Sequence, residues 1–578
     1  MTVSYDQHRR FLIGYLRPQW PRVMLLAALL LASIGLQLAI PQILRYFIDT
    51  ARSGAASEAL LRIGVLFLAV ALTGHLVSAL GLYASENVGW TATNRLREDL
   101  ALHCLRLDLP FHNARTPGEM IERIDGDVRQ LSGFFSQFVI RVVGNAILLA
   151  GIVVLLIRED WRVGLAYALF AVAALAAIRR MIEIAVPHWK QARQASALLL
   201  GFLEERLSGT EDIRSSGAVP YVMRRLFGAM RDQMQKTRRA WLLGNMMWAV
   251  TAGVVALGGA LAFVMSAHLL GRGLITIGTV YLFFHYTEML RRPLEQITRQ
   301  MQDFQRASAS IGRVGELFAM QSATKDGRGL LPSGPLAVAV SDLSFGYVED
   351  DPVIQEVSFR VEPGRVLGLL GRTGSGKTTL GRLFVRFYDP TDGMIRLGGT
   401  DIRDVPLGEL RRRVGVVTQD VQVFHASVRD NLTFFDPGIS DARIFEVLRE
   451  LGLLTWATSL PQGLSTPIGP RALSAGEAQL LAFARVFFKD PGLVILDEAS
   501  SRLDPATEQL VELAVDALLR HRTAIVIAHR LATVHRAQEI MIVEDGRVVE
   551  HGARERLAHD PGSRFATLLR TGLEEVLA

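Results

Sequence analysis

The stretch Gly371-Arg372-Thr373-Gly374-Ser375-Gly376-Lys377-Thr378 decides the fold of the second half of this chain. It matches the pattern G-x-x-x-x-G-K-[ST] of a phosphate-binding loop. The apolar run at 365–370 predicts a buried strand before it, and residues 379–384 predict the first turns of a helix after it. Glycines let backbone N–H groups turn toward phosphate oxygens, and a helix start favours negative charge. The sequence therefore predicts a site for a nucleoside triphosphate.

The residues of this loop have separate expected roles. Lys377 would reach the β- and γ-phosphates, and the Thr378 hydroxyl would bind Mg²⁺. The residues that we expect to surround the phosphates are Gly371, Thr373, Gly374, Ser375, Gly376, Lys377, Thr378 and Thr379. ATP and Mg²⁺ are therefore the expected cofactors.

A second stretch, Gly492-Leu493-Val494-Ile495-Leu496-Asp497-Glu498, ends an apolar run with two acidic residues. Such a run predicts a central parallel strand, and ligands bind at the carboxyl ends of strands in open α/β sheets. Asp497 is expected to hold Mg²⁺, directly or through water. Glu498 is expected to orient and deprotonate the water that attacks the γ-phosphate. The pair indicates hydrolysis of the bound nucleotide.

Three further residues complete the predicted site. Gln419 follows the strand-like run 414–418, where its amide could contact Mg²⁺ or the attacking water. His529 follows the run 524–528, where its imidazole could contact the γ-phosphate. Tyr347, ahead of the loop, could stack on the nucleotide base.

Hydrophobicity is distributed unevenly along the 578 residues. The long apolar runs lie almost entirely in the first 320 residues or so, and the remainder has the pattern of an α/β domain. The net charge of +6 is explained by arginines beside membrane spans, and no basic run with interleaved aromatic residues indicates nucleic-acid binding. The single cysteine, Cys104, excludes an internal disulfide.

Six apolar segments are predicted to cross the membrane, since a spanning helix needs about 20 apolar residues. They lie near 23–47, 61–84, 134–157, 163–182, 242–270 and 275–289. An even number places both chain ends on one side, and the nucleotide-binding half must be cytoplasmic to find ATP. Arginines before the first span and after the second agree with this orientation. We therefore expect a multi-pass protein of the plasma or inner membrane, in contact with lipid.

The two cytoplasmic connections are far longer than a turn requires. Amphipathic helical sequence at 90–109, 119–135, 189–207 and 221–239 predicts that the spans continue into the cytoplasm. Helix-breaking residues mark the tips at 109–118 and 209–217. Short helices there could lie across a partner surface; the alternative is that the tips are solvated loops.

A few polar residues lie inside or at the rims of the predicted spans: His75, Arg141, Asn145, His285 and Glu288. Ionisable groups in a bilayer normally face the bundle interior or a wet cavity. Arg141, His285 and Glu288 are therefore candidates for lining a translocation path. The alternative is that they are paired structural groups.

In this order, the motifs resemble those of an ATP-binding cassette (ABC) exporter half-transporter over essentially the full length. The resemblance implies a helical transmembrane domain at 1–315, a linker at 316–335 and an α/β phosphate-loop ATPase domain of ABC type at 336–578. It also implies the roles of base-stacking aromatic for Tyr347, Q-loop glutamine for Gln419 and switch histidine for His529. Residues 501–504 are similar to the D-loop, and the tips at 111–116 and 210–216 are similar to coupling helices.

The family's signature, Leu-Ser-Gly-Gly-Gln, is replaced here by Leu473-Ser474-Ala475-Gly476-Glu477. Ser474 and Gly476 keep the expected contacts with the γ-phosphate bound on a partner subunit. Glu477 places a carboxylate where a neutral amide is usual, which should cost energy near a triphosphate unless the carboxylate points away or is paired. The departure favours one half of an asymmetric heterodimer; the alternative is a homodimer.

The resemblance implies ATP-driven export of a small molecule, lipid, drug or peptide. Two alternatives are uptake through an exporter-like fold, for example of a metal chelate, and an ATP-gated channel or sensor. The intact Glu498 disfavours a sensor, because a sensor could manage without turnover.

Overall fold

The computed structural model describes residues 13–348, 351–470, 472–497, 505–528 and 534–571. The chain forms two compact units. The first contains residues 1–106 and 115–320, and the second contains residues 107–114 and 321–578. Residues 107–114 thus lie within the sequence of the first unit but pack with the second.

Ten described helices lie between residues 20 and 319. In chain order they are α1 Trp20–Arg52, α2 Ser57–Arg106, α3 Leu109–Asn113, α4 Pro117–Ile121, α5 Val128–Phe138, α6 Asn145–Glu159, α7 Trp161–Ser208, α8 Thr210–Ser215, α9 Val219–Gly271 and α10 Ile277–Ala319. A 3₁₀ turn at Arg17–Gln19 precedes α1, and π-helical turns at Glu122–Asp127 and Val139–Gly144 flank α5.

Five helical segments of the described chain are long and apolar enough to cross a membrane: Ile13–Arg52, Ser57–Arg106, Val142–Glu159, Trp161–Ser208 and Ala252–Gly271. They coincide with five of the six predicted spans. The sixth predicted span falls on the start of α10, which is not among the five in the described part of the chain. Glu288, Arg291 and Arg292 follow early in α10 and shorten its apolar stretch.

The helices α2, α7 and α9 have 50, 48 and 53 residues. At 1.5 Å per residue they are about 70–80 Å long, more than twice the roughly 30 Å of a bilayer's hydrocarbon core. Each helix therefore continues well beyond the membrane, as the sequence predicted.

Close helix packing in the first unit depends on small residues and a few polar contacts between helices. A Cβ at Gly151 of α6 would lie 2.7 Å from Leu38 Cδ1 of α1, so glycine permits this approach. Tyr286 of α10 is fully buried, and its hydroxyl donates to the carbonyl of Leu38 at 3.0 Å. Asp49 of α1 accepts hydrogen bonds from the Thr276 hydroxyl at 2.7 Å and from the Gly278 N–H at 2.9 Å. These bonds fix the start of α10 against α1.

The described residues of the second unit form three sheets. Its strands are β1 Val338–Val348, β2 Asp351–Val361, β3 Val366–Leu370, β4 Asp392–Leu397, β5 Thr400–Asp401, β6 Val414–Val417, β7 Ala426–Ser427, β8 Pro467–Ile468, β9 Leu493–Asp497, β10 Thr523–Ile527, β11 Glu539–Glu544 and β12 Arg547–Ala553. The orders are β12-β11-β3-β10-β9-β6, β2-β1-β4-β5 and β7-β8. In the six-stranded sheet only the edge pair β11-β12 is antiparallel.

The described helices of this unit surround the sheets. Besides α3 they are α11 Lys377–Phe384, α12 Leu407–Arg413, α13 Val428–Thr433, α14 Asp441–Glu450, α15 Leu454–Ser459, α16 Ala475–Lys489, α17 Pro505–Leu519, α18 Arg554–His559 and α19 Arg564–Thr571. Every residue of β3 and β10 is buried, which explains why these strands are apolar throughout. Parallel pairing brings the carboxyl ends of β3, β10, β9 and β6 to one edge of the sheet.

The short helix α3 packs on the second unit. The Asp108 carboxylate caps α3 through the Phe111 N–H at 3.4 Å and also accepts from the Ala323 N–H at 2.8 Å. Phe111 is buried, and the Asn113 side-chain amide donates to the Tyr388 hydroxyl at 2.8 Å. The prediction of short helices at the tips is confirmed, and at this first tip the solvated-loop alternative is wrong.

A candidate nucleotide-binding and hydrolysis site

The predicted phosphate loop joins β3 to α11. Gly376 caps α11 with a φ of 99°, a backbone conformation that favours glycine. A Cβ at Gly376 would also lie 2.6 Å from Ile354 Cδ1, and a Cβ at Gly371 would lie 2.2 Å from the Val543 carbonyl oxygen. These two positions therefore have no room for a side chain. Without side chains there, the backbone N–H groups of the loop can approach a ligand.

Lys377 is held inside the loop. Its side chain is only 5% exposed, and its Nζ donates to the carbonyls of Gly371 and Arg372, both at 2.7 Å. The Ser375 hydroxyl lies 3.5 Å from the same nitrogen. A positive charge is thus fixed next to the exposed residues Thr373 and Gly374, as a phosphate site requires.

Tyr347 is fixed beside the phosphate-loop helix. Its hydroxyl lies 3.1 Å from Thr379 Oγ1 and accepts a hydrogen bond from Arg382 Nη1 at 3.2 Å. Phe345 and Tyr388 each meet its ring edge-on at 5.1 Å between centroids. The residue nevertheless stays 43% exposed, which leaves surface on which a base could stack.

The expected Mg²⁺ ligands come from separate elements at one sheet edge. Asp497 ends β9, Thr378 is exposed in the first turn of α11, and Gln419 is exposed two residues after β6. In the described part of the chain no three His, Cys, Asp or Glu side chains cluster as a protein-only metal site. A hydroxyl, an amide and a carboxylate supply the oxygen ligands that Mg²⁺ prefers when phosphates complete its shell. These residues therefore fit Mg²⁺ bound together with a nucleotide.

Two predicted catalytic residues, Glu498 and His529, lie outside the described residues, as do the D-loop residues 501–504. The strands that lead to them are described. The carboxyl end of β9 precedes Glu498, and its last residue pairs with the last residue of β10. Ala528, which follows β10, is buried and precedes His529.

The altered signature forms the start of α16. The Ser474 hydroxyl accepts from the Glu477 N–H at 3.3 Å, and the Glu477 carboxylate accepts from the Ser474 N–H at 2.8 Å. This reciprocal pair is a capping box. The second carboxylate oxygen accepts from Trp456 Nε1 at 3.0 Å, and Gly476 is buried. Glu477 is therefore paired within its own subunit.

Sequence reasoning missed Arg485 of α16. This arginine is buried, and its guanidinium donates to the carbonyls of Asn431 at 2.7 Å and Gln422 at 2.8 Å and lies 4.5 Å from the Phe434 ring centroid. Burial lowers the pKa of Arg485 to about 10. The residue joins the signature helix to the segment after Gln419. An arginine within an apolar helix face was the signal that could have identified it.

Comparisons with known proteins find relatives of both halves of the chain. A family model described as ABC transporter matches residues 354–501, and one described as ABC transporter transmembrane region matches residues 23–294. The fatty acid ABC transporter ATP-binding/permease protein of Mycobacterium tuberculosis is 30% identical over 495 residues, 84% of this chain and 78% of that protein. The ATP-dependent lipid A-core flippase of Vibrio cholerae is 29% identical over 500 residues, 85% of each chain.

A solved structure shows the same architecture. It is the structure of a bacterial Atm1-family ABC exporter with ATP bound, and it superposes on this chain with a TM-score of 0.79 at 26% identity. The match covers 96% of this chain and 98% of that one.

Proposed function

This chain belongs to the ABC transporter family, as an exporter half-transporter with one transmembrane region ahead of one nucleotide-binding domain, and we propose that two such halves pair to export a lipid or another amphiphile. The observation that carries this proposal is the phosphate loop, where Lys377 is fixed within a glycine cradle. The names of the fatty-acid and lipid A-core relatives support a lipid-like substrate. Small-molecule drugs and peptides are the other substrate classes to test.

Each residue of the site has a separate proposed role in nucleotide binding. Tyr347 would stack on the base, and Lys377 would bind the β- and γ-phosphates. Thr378 and Asp497 would hold Mg²⁺, with Gln419 beside them, and the ion would offset the negative charge of the phosphates. These proposed contacts would bring the γ-phosphate to the carboxyl ends of the parallel strands.

Hydrolysis requires a base near that phosphate. Glu498, next after β9, would deprotonate the attacking water, and His529, after β10, would contact the γ-phosphate. Ser474 and Gly476 of one half would close the site on the other half. Closure would be driven by the greater affinity of ATP for the closed pair, and hydrolysis would let the pair separate.

We propose a homodimer with two hydrolytic sites. The sequence favoured an asymmetric pair because an unpaired Glu477 would face the partner's triphosphate. In the structure its carboxylate accepts two hydrogen bonds within its own subunit, from Trp456 and Ser474. These hydrogen bonds hold the carboxylate in place and weaken the electrostatic argument for asymmetry, although the group keeps its negative charge.

The proposal is tested with the full chain in lipid nanodiscs, by mass and by ATP hydrolysis. We expect a dimer of this chain alone that hydrolyses ATP. Glu498→Gln should keep ATP binding and slow turnover by about 10²–10⁴-fold. The matched control is Glu446→Gln on the exposed face of α14, which should leave turnover unchanged.

Two outcomes would overturn parts of this proposal. Rapid hydrolysis by Glu498→Gln would exclude Glu498 as the base. Activity that appears only after a second half-transporter is added would restore the heterodimer.

A further inference from the structure

Two buried polar side chains, Arg485 of α16 and Asn431 of α13, hold the chain segment that follows Gln419. Asn431 is fully buried, and Arg485 is only 7% exposed. Arginine is rarely buried this deeply, because removing its charge from water is costly unless its hydrogen bonds are made. Neither residue has a role in the nucleotide binding proposed above. Their contacts indicate a different role.

The Asn431 side chain bonds to the backbone both as donor and as acceptor. Its Oδ1 accepts from the Phe424 N–H at 2.9 Å, and its Nδ2 donates to the Phe424 carbonyl, also at 2.9 Å. The same nitrogen donates to the Ser427 carbonyl at 3.1 Å. The exchange of both bonds with one residue resembles the pairing between two antiparallel strands. Asn431 therefore fixes the path of residues 424–427 against α13.

Arg485 attaches this segment to α16. Its Nη1 donates to the Gln422 carbonyl at 2.8 Å, and its Nε donates to the Asn431 carbonyl at 2.7 Å. Its Nη2 donates to Asn431 Oδ1 at 3.2 Å. The planar guanidinium holds these acceptors in one arrangement, which the single nitrogen of a lysine cannot reproduce. Arg485 thus links Gln422 and Asn431 to the helix that begins at the signature.

The same helix packs on the strand that precedes Gln419. A Cβ at Gly415 of β6 would lie 2.4 Å from Val486 Cγ1 of α16, so glycine permits this close approach. The strand continues to Val417, which pairs with Leu496 of the central strand β9. The chain that enters the segment of Gln419 is therefore fixed to the sheet and packed against α16.

Four residues, 418–421, join the end of β6 to the backbone that Arg485 holds. Gln419 is exposed and lies three residues before Gln422, which limits the distance between their Cα atoms to about 11 Å. If Arg485 releases Gln422, this short segment is no longer fixed at one end. Misplacement of a reacting group by about 1 Å can slow a reaction by about 10²-fold. The hold of Arg485 on Gln422 should therefore matter for hydrolysis.

We propose that Arg485 is a positioning residue for ATP hydrolysis, which keeps Gln419 in place by holding Gln422, with Asn431 as its support. The proposal rests on the proposed function above, in which Gln419 lies beside Mg²⁺. It gives the signature helix a second role. The start of α16 closes the partner's site, and its later turns order a residue of the site in its own subunit.

The mobility of the segment is the first test, and it requires no nucleotide. A nitroxide is attached to Asp420→Cys in the full chain in nanodiscs, with Cys104→Ser so that the label has one site. Arg485→Lys keeps the charge but loses the fork of donors, so we expect a narrower spectrum that reports faster motion. Arg449→Lys, the same exchange on the exposed face of α14, should leave the spectrum unchanged. An unchanged spectrum in folded Arg485→Lys would overturn the proposal.

ATP hydrolysis is the second test. We expect Arg485→Lys to lower kcat about tenfold and to leave KM for ATP within about twofold, because the phosphate loop keeps its own contacts. In a Gln419→Ala background the same substitution should lower kcat no further, since the residue through which Arg485 acts is gone. Losses that multiply in the double variant would contradict the positioning role.

Two further variants separate positioning from stability. Asn431→Asp puts a carboxylate oxygen opposite the carbonyls that Asn431 donates to, and it should change the spectrum and kcat in the same direction as Arg485→Lys. Ile540→Val removes a buried carbon atom from β11, which three strands separate from β6. It should lower the unfolding temperature and leave kcat unchanged. An equal loss of kcat in Ile540→Val would show that stability alone is responsible.

The two measurements let the two proposals fail separately. If the wild-type chain does not hydrolyse ATP, the transport function is wrong, and the nitroxide spectrum still decides whether Arg485 holds the segment. If the wild type hydrolyses ATP and Arg485→Lys keeps its kcat, the positioning role is wrong and the transport function stands.

Discussion

The indole Nε1 of Trp456 donates a 3.0 Å hydrogen bond to the carboxylate of Glu477, which joins α15 to the start of α16. The other carboxylate oxygen accepts from the Ser474 N–H at 2.8 Å. Both oxygens are thus occupied by groups of the same subunit. This geometry explains how a carboxylate is accommodated in the signature.

Restoring the family's usual residue should therefore not improve this protein. A glutamine has one acceptor oxygen, so Glu477→Gln must lose one of the two hydrogen bonds, which costs about 0.5–1.5 kcal/mol. We expect a lower unfolding temperature and no gain in ATP hydrolysis. Trp456→Phe, which removes only the donor, is the matched variant for a double-mutant cycle. A severalfold gain in hydrolysis by Glu477→Gln would mean that the carboxylate repels the partner's triphosphate.

Gly376→Ala should weaken ATP binding at least about tenfold. The new side chain would displace the loop, so that its backbone N–H groups no longer lie within hydrogen-bonding distance of the phosphates. The new Cβ would lie 2.6 Å from Ile354 Cδ1 and would also strain a residue with φ of 99°. The control is Gly334→Ala, since Gly334 has a φ of 79° but no neighbour within 4 Å. Equilibrium binding of a fluorescent ATP analogue measures the effect. Equal losses in both variants would show that backbone strain alone is responsible.

The Asn113 amide and the Tyr388 hydroxyl should be energetically coupled. Tyr388→Phe keeps the ring that packs on Tyr347 and removes only the 2.8 Å hydrogen bond to Asn113. We expect Tyr388→Phe and Asn113→Leu to show a coupling of about 0.5–1.5 kcal/mol in a double-mutant cycle on unfolding of the full chain. Asn113→Asp should keep the stability that Asn113→Leu loses, because the Tyr388 hydroxyl can donate a hydrogen bond to the new carboxylate. Additive losses would show that the contact contributes nothing.

Replacement of Arg485 by methionine should cost about 2–3 kcal/mol, because the carbonyls of Asn431 and Gln422 lose a charged donor. Arg485→Lys is the companion variant, which keeps the charge but not the fork of donors. Denaturant midpoints of the full chain measure both. If Arg485→Met lowers the free energy of unfolding by less than about 0.5 kcal/mol, the size of a typical surface effect, the structural role of Arg485 would be contradicted.

The lowered pKa of Arg485 also predicts a pH dependence. Since burial lowers the pKa to about 10, the unfolded chain binds this proton more tightly than the folded chain does. The contribution of Arg485 to stability should therefore rise with pH only above about 10 and stay constant below it. Stability curves of wild type and Arg485→Met should run parallel between about pH 6 and 9. Curves that diverge in that range would place the pKa far lower.

Local motifs made the phosphate loop and the strands around it predictable. The glycines and Lys377 act through backbone conformation and charge within eight residues, so the pattern alone carries the geometry. The long helices were equally predictable, because apolar and amphipathic periodicity extends over many turns.

The remaining features depend on contacts that no local pattern encodes. Asn113 and Tyr388 are 275 residues apart, and Glu477 is paired by a tryptophan on another helix. The sequence made Glu288 a candidate for lining a translocation path, yet it forms an ion pair with Arg291, three residues further along the helix. Charges inside a span therefore cannot be assigned to a path before their partners are known.

The membership of α3 in the second unit has a consequence for biosynthesis. Residue 114 is made 207 residues (321 − 114) before the rest of that unit begins. At about 5–20 residues per second, synthesis of the rest of that unit begins on the order of 10–40 s after α3 is made, and the surface that buries Phe111 forms later still. A chain terminated early would keep this aromatic side chain exposed, in the form that chaperones and proteases recognise. Burial of Phe111 therefore depends on residues that are made much later than α3 itself.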